Sequence, residues 1–457
     1  MAIERLTAGD ELMLWPDETW PQDIGALVVL DGRKLLGPDG RFRTEAVTAA
    51  VAARLHLVPR FRQVLYVPPR RLGRPLWVDA PAFDIREHIR VVPVAAPGGE
   101  EQLLHAVAEQ RRRRLERSRP LWELVFLTGL ADGRVGLFVR LHHVIADGMA
   151  SVAAIGAFLD PVPDAPAGPA PPWLPAPAPA PAGLLADSLR GHARQLGRGL
   201  SALAHPVAGG RRLLTAWPAV RELLAAEPVP VTSLNRVVGP GRSLALARSD
   251  LAAVKQAAHS CSATVNDVLL AATASGLRAL LRSRGEPVDG VVLRMYVPVS
   301  LHRGPHAEAR GNLIGQIVVP LPIGVSDPRL LLRRIAAETS VRKARAQPPL
   351  GRIPHRGPAG RVFLKLVARQ RVNVTSANLP GPDVPLYFAG APVLEVFPLV
   401  DLLGTVSLAV GAMSYAGRFG IMVTADQDAY PDLGVFAAGL RDGLRALTAQ
   451  PGLPAAM

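Results

Sequence analysis

The stretch Arg134-Val135-Gly136-Leu137-Phe138-Val139-Arg140-Leu141-His142-His143-Val144-Ile145-Ala146-Asp147-Gly148 carries the reading of this chain. Val135, Leu137, Val139, Leu141 and His143 recur every second residue, the period of a strand, whose side chains point alternately to its two faces. On that pattern His143 continues an apolar, buried set, and His142 shares the opposite face with Phe138 and Arg140. Asp147-Gly148 is a turn signal, and the residues after it, 149–159, read as a helix. The two histidines therefore stand where a strand gives way to a loop, and only one of them is placed to enter a site.

Histidine is the side chain whose ordinary titration range lies nearest neutrality, which suits it to general-base work. His143 is the candidate base and His142 its motif partner. Asp147, four residues on, reads as a structural orienter of the loop, and Gly148 as the residue that tolerates the bend. For a lone histidine, a packed or surface role is the better reading. Two adjacent histidines with Asp and Gly at fixed offsets arise from background composition with roughly one chance in a thousand in a chain of this length. No HExxH or Cys/His pattern supplies further ligands, so no metal is expected. Neither a Gly-x-Ser-x-Gly elbow nor a P-loop sequence is present, which removes the usual anchors of serine hydrolases and NTPases.

The chain has 457 residues, 49% hydrophobic and 20% charged, a globular balance long enough for two domains. Lys and Arg outnumber Asp and Glu by 52 to 38, giving a net charge of +14. Such a surplus fits an anionic partner: nucleic acid, a membrane surface or a phosphate-bearing small molecule. With 5% aromatic residues and no zinc-finger or RNP-type motif, nucleic acid is not expected. The single cysteine, Cys261, rules out an internal disulfide framework and reads as a small packed residue. Charge at the N-terminus argues against a secretory signal. The uncharged stretch 402–417 is too short for a span, so the expected location is cytoplasmic, with any membrane contact peripheral.

A Pro/Ala-rich run at 161–181 reads as a semi-rigid polyproline spacer. It divides the chain into an N-terminal half at 1–160, a connection at 161–230 and a C-terminal half at 231–457. Within the connection, 183–226 is leucine-rich and studded with Arg190, Arg194, Arg198, Arg211 and Arg212. It suggests basic amphipathic helices, read either as a membrane-surface or lid element or as a solvated linker. Helical patterns at 44–57, 100–116, 251–258, 265–281 and 329–343 alternate with strand-like runs at 122–127, 135–141, 291–297, 317–321 and 419–424. That alternation predicts a protein of two α/β halves with a cleft between them.

Other segments have local readings of their own. Thr264-Val265-Asn266-Asp267 fits a helix capping box in which Asp267 serves the backbone. Asn266 then falls in the first helical turn, a candidate oxyanion or site-lining donor. Trp122 of Pro120-Leu121-Trp122 reads as a packing group anchoring a strand, and Asn378-Leu379-Pro380-Gly381-Pro382 as a turn.

His-His-x-x-x-Asp-Gly at 142–148 resembles the signature of the CoA-dependent, chloramphenicol acetyltransferase-like acyltransferases. Arg119-Pro120-Leu121-Trp122-Glu123, Asn266-Asp267 and Asn378-Leu379-Pro380-Gly381-Pro382 resemble motifs of the bacterial wax ester synthase/diacylglycerol acyltransferases, and they occur in that family's order. Pro298-Val299-Ser300-Leu301, Gly311-Asn312, Leu321-Pro322, Ser414-Tyr415-Ala416-Gly417 and the region 426–432 extend the likeness over nearly the whole chain. His302, where the family usually has Arg, and the Pro/Ala-rich spacer depart from it.

The resemblance implies an α/β fold of two chloramphenicol acetyltransferase-like mixed-sheet domains around a central channel, joined by the Pro-rich and helical linker. It implies acyl-CoA as co-substrate with no permanently bound cofactor, and diacylglycerol or a long-chain alcohol as acceptor. A membrane or lipid-droplet surface, at the inner membrane face or on lipid inclusions, is the implied peripheral partner. Two rivals stay open: a carrier-protein-dependent condensation-type acyltransferase, and a non-catalytic lipid-surface binding protein.

Overall fold

The structure is a computed structural model, which describes residues 3–7, 11, 14, 17, 19–69, 72–145, 148–163, 165, 168, 170–204, 232–300, 314–345 and 372–449. The first half contains β1 (Asp23–Asp31), α1 (Thr44–Arg54), β2 (Gln63–Tyr66), β3 (Leu76–Asp79), β4 (Ile89–Pro93), α2 (Glu100–Arg112), β5 (Trp122–Thr128), β6 (Arg134–His142), α3 (Gly148–Gly156) and β7 (Leu159–Asp160). Helix α4 (Pro181–Ala204) follows the proline run. The second half contains β8 (Arg242–Asp250), α5 (Leu251–Ser260), α6 (Val265–Ser283), β9 (Val292–Ser300), β10 (Ile314–Pro322) and α7 (Pro328–Arg345). It continues with β11 (Val374–Leu379), β12 (Tyr387–Phe388), β13 (Ala391–Leu399), β14 (Leu408–Tyr415), β15 (Arg418–Asp426) and α8 (Leu433–Thr448).

These elements build two mixed sheets, the α/β architecture expected from the sequence. The first has seven strands in the order β4-β5-β6-β1-β13-β12-β7, the second six in the order β10-β9-β11-β14-β15-β8, and β2-β3 form a separate hairpin. In the second sheet α6 and α8 lie against each other over a core of Val268, Leu269, Leu277, Phe419, Ile421, Phe436 and Leu440. Gly276, Gly439 and Gly443 let those two helices approach closely. Cys261 is buried in this core, unpaired.

The first sheet is not made from the first half alone. Residues 387–399 leave the second half and pair with it, β13 against β1 and β12 against β7. Division of the sheets therefore does not follow the proline run. Tyr415, at the end of β14 in the second sheet, ties the exchange down: its hydroxyl accepts the Leu386 N–H at 2.7 Å and donates to the Val393 carbonyl at 3.2 Å. The two motif segments 378–382 and 414–417 meet here, with the Gly381 N–H 3.3 Å from Ser414 Oγ and the Ala416 N–H 3.0 Å from the Pro382 carbonyl.

The described residues of the proline run are held by side chains of the first half. Trp173 lies under the Arg62 guanidinium and edge-on to Phe83, and the Ala176 N–H reaches Asp79 at 3.0 Å. Leu184 is buried against Leu76 and Val78, and Asp187 receives Arg5 at 2.6 Å. A polyproline segment has no internal hydrogen bonds to lose, so it can lie along the hairpin and be held by side chains.

Candidate active site

Strand β6 brings the histidine pair to its position, and burial decides its design. From Val135 to His142 every residue of β6 is buried on both faces. Val135, Leu137, Val139 and Leu141 enter the core beneath α1, and Phe138 enters a second core shared with Leu246 and Met422 of the other sheet. The alternation expected from the sequence sorts side chains between two cores, not between core and solvent. Central strand β1 pairs with β6 so closely that a Cβ on Gly25 would lie 1.9 Å from the Val139 carbonyl oxygen; only glycine fits.

One expectation is corrected. The strand ends at His142, so His143 does not continue the buried set: it stands in the turn that follows and is half-buried. The deeply buried histidine is His142, 2% exposed, on the face it shares with Arg140. Its Nδ1 accepts the Val144 N–H at 3.0 Å, which leaves Nε2 as the nitrogen carrying the proton. Nε2 lies 3.1 Å from Asp17 Oδ1 but off the axis of the ring N–H, so this is a close polar contact rather than a well-aligned hydrogen bond.

Asp17 also receives Arg117 at 2.8 Å and the Gln22 N–H at 2.9 Å. Burial pushes its carboxyl group up, but His142, Arg117 and the Gln22 N–H together outweigh this and hold it well below the usual carboxylate range. The Gln22 carbonyl in turn accepts the His143 N–H at 2.8 Å.

A chain of buried charge lies behind the pair. Arg140 donates to Asp23 at 2.5 Å, to the Arg113 carbonyl at 2.6 Å and to the Gln110 carbonyl at 2.8 Å. Asp23 sits opposite His142 in the β1–β6 ladder, and its carbonyl accepts from Arg111 at 3.2 Å. Arg111 pairs with Asp401. Burial drives the Asp401 carboxyl up to about 7; Arg111 pulls it down and the charge of Asp23 pushes it up again. Arg242, whose guanidinium burial lowers to about 10, lies 3.9 Å from Asp426 in the second sheet.

The remaining expected residues fall in different places. Gly148 opens α3, six residues beyond the end of β6, and Asp147 lies outside the described residues. Asn266 occupies the second position of α6 and is partly buried. The capping box beside it forms as read: Asp267 accepts the Thr264 N–H at 2.8 Å, and the Asp267 N–H reaches Thr264 Oγ1 at 3.3 Å. Trp122 is a packing group, stacked between His88 and Phe61, with its Nε1–H on the Phe61 carbonyl at 2.8 Å. Among the described residues no cluster of His, Cys, Asp and Glu could hold a metal ion, and no helix is long and apolar enough to cross a membrane.

Asp17, Gln22, Asp23, Arg111 and Asp401 have no local sequence signature as site residues; their role depends on contacts between distant segments. The apolar run 24–30 could have revealed the central strand, and with it the importance of the residues just before it.

Residues 6–269 match the wax ester synthase/diacylglycerol acyltransferase catalytic domain, and residues 310–448 match the C-terminal domain of that family. The chain belongs to the wax ester synthase/diacylglycerol acyltransferase family. It is an acyltransferase.

Within the family, a protein of Mycobacterium tuberculosis named a probable diacylglycerol O-acyltransferase is 32% identical, the match covering 93% of this chain and 91% of the relative. A second M. tuberculosis protein, named a putative diacylglycerol O-acyltransferase, is 30% identical over 98% of this chain and 90% of its own. Among solved structures, the wax ester synthase/diacylglycerol acyltransferase of Marinobacter aquaeolei VT8 superposes with a TM-score of 0.69 at 24% identity, covering 97% of this chain and 98% of that one. The first condensation domain of the calcium-dependent antibiotic synthetase gives 0.60 at 15% identity, with 99% and 98% covered, and shares the fold.

Proposed function

We propose that this acyltransferase moves a long-chain acyl group from acyl-CoA to the hydroxyl of diacylglycerol or a long-chain alcohol, with His143 as general base. The observation that carries the assignment is position: His142 is buried at the end of β6, whereas His143 stands half-buried in the turn beyond the strand. His143 takes the acceptor's hydroxyl proton as the oxygen attacks the thioester carbonyl carbon. The tetrahedral intermediate then collapses, the C–S bond breaks, and the imidazolium returns the proton to the departing CoA sulfur. Asn266 is proposed as a donor to the oxyanion, Asp147 as the orienter of the loop and Gly148 as its bend.

The substrates are taken to meet in a channel between the halves. Acyl-CoA is a co-substrate and no resident cofactor is invoked. Peripheral contact with an inner membrane face or lipid inclusion belongs to the same reading, supported by the charge of +14 and by Leu185 and Leu189, exposed on α4 near Arg190 and Arg194.

The test is purified protein with palmitoyl-CoA and a panel of diacylglycerol, hexadecanol and short alcohols, with CoA thiol release measured and products resolved by class. Turnover without any carrier protein is expected, and His143→Ala should lower it by roughly 10²–10⁴-fold while the protein stays folded. Activity within a few-fold of the parent removes His143 as base.

A further inference from the structure

We propose that Asp17 is a positioning residue for His143, clamping the backbone on both sides of that imidazole from a segment far away in the sequence. The inference rests on the reading of His143 as base and adds the device that aims it.

Asp17 Oδ1 accepts the Gln22 N–H at 2.9 Å, and the carbonyl of the same residue accepts the His143 N–H at 2.8 Å. Oδ1 also faces His142 Nε2 at 3.1 Å, and across that ring Nδ1 accepts the N–H of Val144 at 3.0 Å. One carboxylate oxygen therefore governs the peptide N–H of His143 through Gln22 and the peptide N–H of Val144 through His142. The His142 carbonyl accepts from Ile145 at 2.9 Å, which closes the turn around His143.

The tautomer is the working part. His142 can accept the Val144 N–H only with its proton on Nε2, and a carboxylate at Nε2 selects that form, because a negative oxygen attracts the N–H and repels a lone pair. A carboxamide at the same place can turn its NH₂ toward Nε2, which favours the proton on Nδ1 and breaks the bond to Val144. Arg117 and the Arg114 guanidinium, the latter on the Asp17 carbonyl at 2.9 Å, hold the clamp from the other side. His142, Arg117 and the Gln22 N–H outweigh burial and keep the Asp17 carboxyl ionised, so the clamp is present throughout the neutral range.

The experiment uses the full chain labelled with ¹⁵N-histidine, the His142 signals being assigned by their loss in His142→Asn. In the parent protein the His142 ring should show a bare Nδ1 and a protonated Nε2. Asp17→Asn should move the proton toward Nδ1 and lower kcat by about 10- to 100-fold, the scale of an ångström-sized misplacement, with the KM for palmitoyl-CoA within about threefold. Asp17→Glu, which keeps the charge, should recover most of that loss. A folded Asp17→Asn enzyme with parental kcat overturns the proposal, as does a parent spectrum with the His142 proton on Nδ1, which does not depend on the Asp17 variants folding. His143→Ala is assayed in parallel. Retained turnover there defeats the base assignment, while the His142 spectrum still reports separately on the clamp.

Discussion

Arg111 on α2 and Asp401, just beyond β13, form a buried ion pair between segments 290 residues apart. Arg111 also holds the Asp23 carbonyl, opposite His142 in the ladder, so the pair ties β1 to the chain that passes from the first sheet into the second. A buried pair contributes little net stability against apolar replacement but is costly to break from one side.

The Asp401 carboxyl is raised by burial to about 7, above its value in the unfolded chain. A raised acid contributes stability that is fully present below the unfolded value and is lost as pH rises through the folded one. The melting temperature of the parent minus that of Asp401→Asn should therefore fall as pH goes from about 4 to about 7, and level off above. A difference that is flat or rises across this window removes the assignment.

His88 acts with the opposite sign. It is buried between Phe83 and Trp122, with Nδ1 2.9 Å from the Trp122 carbonyl, and burial lowers its basicity. Its contribution is present above the unfolded value near 6.5 and is lost as pH falls through the lower folded one. Compared with His88→Phe, the parent should lose melting temperature on acidification below pH ~6.5. Parallel pH profiles for the two proteins would contradict this.

Gly25→Ala should prevent β1 and β6 from pairing beside Arg140, since the new methyl group meets backbone, which cannot turn aside. A loss of about 3 kcal/mol or more, seen as insoluble protein or a much lower urea midpoint, is expected. A soluble variant with the parental midpoint would show that the strands part without cost.

At the first turn of α6, Thr264→Ala removes the side-chain partner of the Asp267 N–H and one of the bonds to the Asp267 carboxylate. The expected cost is about 1 kcal/mol, read from urea denaturation. If Asn266 serves the oxyanion, kcat should fall beyond what that loss of stability explains, and an unchanged kcat would set the helix end apart from the reaction.

Much of the frame was legible in the sequence because local pattern dictates it. Period-two alternation locates β6, a strand-like run locates β15, helical patterns locate α2, α5, α6 and α7, and Thr264-x-x-Asp267 marks a helix start that the structure places there. Spacing identifies the histidine pair, yet which of the two is buried does not follow from alternation. His142 and His143 differ in what reaches them, and Asp17 and Gln22 reach them through folding alone. The same holds for Asp401 and for the transfer of β12 and β13 into the first sheet, where hydrophobic pattern identifies a strand but not its neighbour. The proline run was recognised by composition, and its docking on the hairpin depends on Trp173 and Asp79, which carry no such message alone.

The pairing of β13 with β1 has a consequence for how the enzyme is made. On the ribosome, β1 emerges before β6 and can pair with it once that strand follows, but its other edge must wait for β13, which begins at Ala391. At ~5–20 residues per second the delay is roughly 20–70 s, during which an apolar strand edge stands open to any neighbouring nascent chain. Yield in a foreign host should thus respond to chaperone supply and translation speed, and a gene cut between the halves would leave the first product with that edge unclosed.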